Sequence, residues 1–297
     1  MIPTQTVLVI GGSGFIGRHT VARLAAQGHA VYATHSFNKT SPAIASVTWL
    51  PSNLTATEPA VHWPPQCHSL IYLAQSPAWR KFPDGAADVF QVNVAATLRA
   101  AEYARQVGAQ RFILVSSGTV YTQTTCPAQE GELFNLEAPR SFYAASKLAA
   151  ELLLGSYAAS FAVMILRPFV PYGVGQDPQM LIPQLVRRVR EGEAITLHGN
   201  DGLQANPVAV ADVAETMARC LTLDSSVTLN IAGPKIMTLR QIGNAIGQVL
   251  ELTPCFETRF DQVPPVLVGD TSRLQATLGW TPQTSFEAGL RTWLHND

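Results

Sequence analysis

Apolar residues in this chain gather in short runs separated by stretches of helical spacing, and the first run, Val7-Leu-Val-Ile10, ends directly in Gly11-Gly-Ser-Gly-Phe-Ile-Gly17. Short apolar runs bounded by turn formers predict buried strands. On this basis strands are expected over 7–10, 28–34, 47–50, 69–74, 111–117 and 162–166. Between them, Val21, Leu24 and Ala25 fall at the spacing of one helix face, and so do Asn93, Val94, Leu98, Ala101 and Ala104 within 88–107. A third helical stretch runs from Ser141 to Glu151, with Ser141 as its N-cap because a serine hydroxyl accepts from an otherwise unpaired first-turn N–H. Strand and helix in alternation predict a right-handed parallel sheet covered on both faces. Beyond Phe169 the regularity loosens. The expected organisation is α/β: a doubly wound core over 1–170, with later elements returning around 207–232, and over 171–297 mainly a smaller α/β lobe for substrate.

The glycine turn carries the first chemistry. Gly11, Gly14 and Gly17 allow a tight turn, close approach to a pyrophosphate and close packing of helix on strand, while the helix N-terminus offers N–H donors and a positive dipole end. Tyr143 and Lys147 lie four apart, so on a helix they share a face. A phenol ordinarily titrates near ~10. An ammonium beneath it is expected to pull it down towards the range of a general acid or base. Ser117, at the end of a central strand, is placed to hold the same substrate oxygen from the other side.

Composition narrows the partners. A chain of 297 residues can bury a sizeable core. A net charge of −1 with 14% charged residues offers no nucleic-acid surface. Cys67, Cys126, Cys220 and Cys255 match no zinc spacing, so no metal is expected and the thiols read as the reduced cysteines of a cytoplasmic protein. The first residues enter strand and turn without the basic region of a signal peptide. The most apolar region, 149–170, is interrupted by Glu151, Gly155, Ser156 and Ser160, so no membrane span is expected.

Gly11-x-x-Gly14-x-x-Gly17, Val115-Ser-Ser-Gly-Thr-Val-Tyr121 and Tyr143-x-x-x-Lys147 together resemble the extended short-chain dehydrogenase/reductase family, the NAD-dependent epimerase/dehydratase group. Asn93-Val94, Leu166-Arg167-Pro168 with Tyr172-Gly173, Val208 to Val213, and Asp270 to Arg273 with Leu278 to Pro282 extend the resemblance over nearly the whole chain. It implies a Rossmann-type fold with Ser117, Tyr143 and Lys147 as the catalytic trio. The implied cofactor path follows Gly11, Gly14, Phe15, Ile16 and Gly17, then His35, Ser36, Lys39, Asn53 and Leu54. It continues along Leu73, Ala74, Gln75, Asn93, Val115, Tyr143, Lys147, Pro168 and Val170. Thr119, Trp79, Tyr172 and Arg259 are the residues expected to meet substrate, a sugar nucleotide or related polyol. A homodimer is implied through the Asn93 and Tyr143 helices.

Departures from that family's patterns restrict the reaction. Its dehydratases carry an Asp-Glu pair where this chain has Gly118-Thr119, and its decarboxylases place a glutamate at the Thr119 position. Its doubly epimerising reductases need a cysteine there and a histidine where Gly175 stands. What remains is hydride transfer with one proton. The 4-epimerases of the family also carry an arginine before the stretch written here as Val208-Ala-Val-Ala-Asp212, whereas this chain has Leu203 to Pro207, leaving Arg259 as the diphosphate partner. The expected activity is that of an NAD(P)-dependent oxidoreductase, a simple 4-keto reductase. A nucleotide-sugar 4-epimerase is the alternative, and a non-catalytic cofactor sensor the alternative of another class. The second strand ends in Thr34-His-Ser-Phe-Asn-Lys39 without the carboxylate that accepts the ribose hydroxyls of NAD and repels a 2′-phosphate. With Lys39 and His35 near, NADP is expected ahead of NAD.

Overall fold

The computed structural model describes residues 4–36, 44, 46–56, 63–121, 127–132, 137 and 140–295. The chain forms two compact units: Met1–Val120, Leu136–Arg167 and Ala214–Leu229 make the first, and Tyr121–Asn135, Pro168–Val213 and Asn230–Asp297 the second. The sequence pattern groups the stretch after Val120 with the core. Its described part instead joins the second unit, because the Ala128 N–H donates to the Val268 carbonyl at 2.8 Å and the Ala128 carbonyl accepts from Asn230 Nδ2 at 2.8 Å.

Strand and helix alternate through β1 (Thr6–Ile10), α1 (Phe15–Ala26), β2 (Ala30–His35), β3 (Val47–Pro51), β4 (Ser69–Tyr72), α2 (Ala86–Phe90), a π turn (Gln91–Ala95), α3 (Ala96–Gln106), β5 (Arg111–Val115), α4 (Phe142–Gly155) and β6 (Ala162–Pro168). Then follow β7 (Pro171–Tyr172), α5 (Leu181–Glu191), β8 (Ile195–His198), β9 (Gln204–Ala205), β10 (Val208–Ala209), α6 (Val210–Cys220) and β11 (Val227–Ile231). The chain ends with β12 (Met237–Thr238), α7 (Leu239–Leu250), β13 (Phe256–Arg259), β14 (Val266–Leu267), α8 (Ser272–Leu278) and α9 (Phe286–Leu294).

The main sheet has seven strands in the order β11-β6-β5-β4-β1-β2-β3. β1 pairs in parallel with β2 on one side and β4 on the other. The chain reverses its direction of travel across the sheet at that point, and open α/β sheets bind ligands beyond the strand ends at such a switch. β4 and β5 are buried along their whole length, which is why they read as continuous apolar runs rather than alternating ones. Ala96, Ala100, Ala101 and Ala104 present a small-residue face of α3 to Leu70, Tyr72, Phe112 and Leu114 of the sheet. The helix expected over 88–107 is observed with a π turn at Gln91–Ala95. The extra residue in that turn falls around Asn93, and such insertions are frequent at functional sites.

In the second unit, β7 pairs with β10, β8 with β13, and β9 lies between β12 and β14. Its core gathers Tyr172, Ile182, Leu185, Val186, Leu197, Ile242, Ile246, Leu290 and Trp293. Among the described residues no helix is long and apolar enough to cross a membrane.

Candidate active site

At the end of β1 the chain turns through Gly11, at φ 88°, where a Cβ would lie 2.7 Å from the Ala74 nitrogen. The Gly11 N–H donates to Thr34 Oγ1 at 2.9 Å, and the Gly14 N–H donates back to the Gly11 carbonyl at 3.0 Å. A Cβ on Gly17 would stand 2.2 Å from that same carbonyl, whereas one on Gly14 would meet only it, at 3.1 Å. Gly11 and Gly17 are therefore fixed by packing, and Gly14 opens on space. α1 starts from Gly14 with no side-chain cap and no acidic residue in its first turn. Its leading N–H groups, at Phe15, Ile16 and Gly17, are left for an anion. This cradle fits the pyrophosphate of a dinucleotide.

Further along the strand ends, His35 closes β2 with Nδ1 3.1 Å from the Ser36 carbonyl and its ring edge-on to Trp49. A carbonyl only accepts, so Nδ1 carries the hydrogen and Nε2 is turned out as an acceptor when the ring is neutral. Lys39, expected beside it, lies outside the described residues. Asn53 Oδ1 accepts from Thr55 N and Oγ1 at 3.1 and 2.7 Å, so its carbonyl is spent in a local turn and its amide is left to contact an adenine. The Leu54 carbonyl accepts from Arg99 at 2.6 Å. The Leu73 N–H donates to the Ile10 carbonyl at 2.8 Å, which carries the β4 line on to buried Ala74 and exposed Gln75.

α4 begins as the sequence indicates, with Ser141 Oγ accepting from the Ala144 N–H at 3.1 Å. Such a cap is worth about 1 kcal/mol. Lys147 is 3% exposed and donates from Nζ to the Val115 carbonyl at 2.9 Å. Its nitrogen lies 6.0 Å from the centre of the Tyr143 ring. Burial pushes the Tyr143 phenol up to about 12, against a hydrogen bond from Ser117 that lowers it. Burial likewise pushes Lys147 down to about 8, with Glu151 acting to raise it. The expected lowering of the phenol by the ammonium is outweighed here, because Nζ is engaged by a backbone carbonyl and desolvation of the phenol dominates. Ser117 Oγ also meets Thr119 Oγ1 at 2.9 Å and accepts from the Thr119 N–H at 3.2 Å.

Asn93, 1% exposed on the π turn, acts as a tie. Its Oδ1 accepts from the Ser76 N–H at 3.3 Å and its Nδ2 donates to Ser146 Oγ at 3.0 Å, while Ser146 donates to the Tyr143 carbonyl at 2.7 Å. Ser76 Oγ in turn donates to Asp88. Trp79 brings its ring to 5.3 Å from that of Tyr143, and the Arg80 guanidinium stacks over Trp79 at 4.3 Å. Thr119 and Trp79 thus stand with the trio.

The other two expected substrate residues lie in the second unit and in different roles. Tyr172 is 1% exposed, packs on Phe286 and donates to the Phe286 carbonyl at 3.2 Å, so it is a core residue and not a substrate contact. Arg259 is exposed on β13 and paired with Glu257 at 2.9 Å. Pro168 ends β6, and Val170 follows at φ 42°, a left-handed conformation uncommon for a β-branched residue. A cleft within that unit, about 490 Å³, is lined by Asn206, Gly233, Asp270, Thr271, Pro282 and Gln283 among others, and by neither Tyr172 nor Arg259.

Sequence reasoning missed Ser76, Asp88, Ser146, Glu151 and Arg167. Ser146, three residues past Tyr143, and Glu151, four past Lys147, were within reach of the helical-spacing argument. Asp88 carries no local signal, Ser76 was legible only as the neighbour of Gln75 at the strand end, and Arg167 only as part of the Leu166-Arg167-Pro168 stretch.

The sequence profile of the NAD dependent epimerase/dehydratase family matches residues 7–232. The chain is 27% identical to UDP-glucuronic acid decarboxylase 2 of Arabidopsis thaliana over 299 residues, which cover 96% of this chain and 66% of that protein. It is also 27% identical to GDP-6-deoxy-D-mannose reductase of Pseudomonas aeruginosa, over 98% of this chain and 96% of the reductase. The solved structure of MoeE5 in complex with UDP-glucuronic acid and NAD superposes with a TM-score of 0.83 at 27% identity, covering 98% of each chain. That of Thermus thermophilus UDP-glucose 4-epimerase with NAD does so with a TM-score of 0.75 at 25% identity, covering 96% of each. The glycine cradle, the trio and the profile match together establish that this chain belongs to the NAD dependent epimerase/dehydratase family.

Proposed function

We propose that this protein moves a hydride at C4 of a nucleotide-linked hexose, with NAD as a resident carrier, and that its net reaction is 4-epimerisation. The observation that carries this reading is the Ser117, Tyr143 and Lys147 arrangement, built into the same unit as the glycine cradle. The ligands of MoeE5 and the complex of the Thermus epimerase support the choice of sugar nucleotide and of NAD.

Gly11, Gly14 and the leading N–H groups of α1 would hold the pyrophosphate, and His35 Nε2 would accept from a ribose hydroxyl in place of the carboxylate this chain lacks. Bound NAD supplies a hydride acceptor that gives the hydride back, so none is consumed. As its phenolate, Tyr143 takes the C4 hydroxyl proton as the sugar is oxidised, and as the phenol it returns that proton to the same oxygen as the ketone is reduced. Ser117 holds that oxygen. A positioned acid/base is worth about 10²–10⁴-fold in rate. Elimination and decarboxylation lack their carboxylate, because Thr119 stands at its position and is hydrogen-bonded to Ser117.

Leu98 on α3 and Leu152 and Leu153 on α4 are 42–68% exposed, apolar faces that a second copy of this chain would cover. Sedimentation at micromolar concentration checks for that dimer.

The activity test is direct. UDP-glucose and UDP-glucuronic acid are incubated with the protein and NAD, and the anomeric region is followed by proton NMR. The expected result is growth of the C4 epimer without accumulation of reduced cofactor. Net 4-keto reduction is the second reading, favoured by the end-to-end similarity to GDP-6-deoxy-D-mannose reductase and by the carboxylate-free end of β2. Stoichiometric consumption of NADPH with a 4-keto sugar nucleotide would select it.

A further inference from the structure

The face of α4 that carries Tyr143 and Lys147 continues to Glu151 one turn further on. Glu151 is 4% exposed and forks with Arg167 of β6, which is also 4% exposed, through bonds of 3.1 and 2.5 Å from Nε and Nη2 to the two carboxylate oxygens. A fully desolvated pair of this kind is weak evidence of stabilisation, because desolvation offsets most of its attraction and apolar replacements are often as stable. Its place, one turn beyond a buried lysine, calls for another reason.

We propose that the Glu151–Arg167 bridge positions Lys147: Arg167 fixes the Glu151 carboxylate, and that carboxylate holds the buried Lys147 head group as an ammonium directed at the Val115 carbonyl. The inference rests on the trio's assignment above. A lysine 3% exposed with a single backbone acceptor is under pressure to lose its proton, and a nearby anion opposes that loss. Glu151 supplies the opposing charge. Tyr143 faces Nζ with its ring centre at 6.0 Å, and the charged groups on the elements packed around Lys147 have partners of their own. Asp88 on α2 accepts from Ser76, and Arg80 stacks on Trp79. On α3, Arg99 donates to the Leu54 carbonyl and Glu102 is held by Arg105 and Tyr157. On β5, Arg111 donates to Asp224 and to the Leu223 carbonyl. Arg167 reaches Lys147 through the Glu151 carboxylate it forks, so Glu151 and Arg167 are positioning residues.

The test is a lysine-selective NMR titration of the Lys147 Nζ in the full chain, alongside the pH profile of turnover. In Glu151→Gln the Lys147 midpoint is expected to fall by about one pH unit or more, with Glu151→Asp retaining most of the wild-type value. The alkaline limb of kcat should move down with it while the KM for the sugar nucleotide holds. Because Glu151→Gln leaves Arg167 buried without its partner, Glu151→Leu combined with Arg167→Met provides an apolar pair of similar volume. The same fall is expected there. An unmoved midpoint in a folded variant overturns the proposal, whatever the activity. A wild type that turns over no sugar nucleotide, but whose Lys147 midpoint falls when Glu151 is removed, defeats the assigned reaction and upholds the coupling.

Discussion

Lys147 reaches past Tyr143 to the Val115 carbonyl, to which it donates at 2.9 Å, while burial raises the phenol against the Ser117 bond that pulls it down. The trio is therefore joined through β5 rather than by a direct ion–phenol contact. Tyr143→Phe should lower turnover by about 10²-fold or more, since it removes the proton carrier alone. Cofactor affinity should stay within about twofold, because nothing in the glycine cradle touches the ring. Steady-state kinetics beside a cofactor titration checks both. Wild-type turnover in this variant would mean that another group moves the proton.

The second and third glycines of the turn should fail in different ways. A side chain at Gly14 meets only the Gly11 carbonyl, at 3.1 Å, and otherwise fills the space expected of a pyrophosphate. Gly14→Val should fold and lose dinucleotide binding. At Gly17 even a methyl group would stand 2.2 Å from a backbone oxygen, so Gly17→Ala should lower the thermal midpoint itself. Calorimetry and cofactor titration on both variants separate the cases. A Gly14→Val variant that still binds with unchanged affinity would place the dinucleotide elsewhere.

Much of the first unit was legible because its causes are local. The apolar runs of β1, β4 and β5, the glycine turn and the Ser141 cap each follow from residues within a few positions of one another. The remainder depends on partners far apart in sequence. Asn93 is marked in the sequence only by resemblance, and its partners emerge from the fold, which brings it to Ser76, 17 residues away, and Ser146, 53 away. Tyr172 has the right motif for a substrate contact, and only Phe286, 114 residues later, shows that it is core. The direction of Lys147 was likewise beyond helical spacing, which places a side chain on a face without choosing its acceptor.

Under the proposed function, cofactor choice would turn on His35. With Nδ1 donating to the Ser36 carbonyl, the neutral ring offers Nε2 to a ribose hydroxyl. NAD should bind at least as tightly as NADP, and His35→Ala should weaken NAD by roughly tenfold through the loss of about one hydrogen bond. Titrating both cofactors into both proteins decides it. A clear preference for NADP in the wild type would favour net reduction.

A pH dependence of stability is expected from His29, far from the trio in sequence. Its Nδ1 accepts from the Gln5 N–H at 3.2 Å, its Nε2 is buried without a partner, and burial lowers its pKa from 6.5. The unfolded chain then takes up a proton at a pH where the folded chain does not. The contribution of neutral His29 is complete above 6.5, and it is lost as pH falls from there to the lowered folded value. Each pH unit of that interval is worth about 1.4 kcal/mol. Thermal midpoints should fall as pH drops below about 6.5, and His29→Asn should flatten that fall. An identical slope in the variant would assign the acid sensitivity to other groups.

The most direct measurement follows a deuterium label. UDP-glucose carrying deuterium at C4 is incubated with the protein and NAD, with unlabelled reduced cofactor added in excess, and the product is examined by NMR and mass spectrometry. Epimerisation with a resident carrier returns the same hydride to the opposite face, so the C4 epimer should form with deuterium still at C4. Product carrying hydrogen at C4, deuterium appearing in free cofactor, or consumption of cofactor in step with sugar would contradict it.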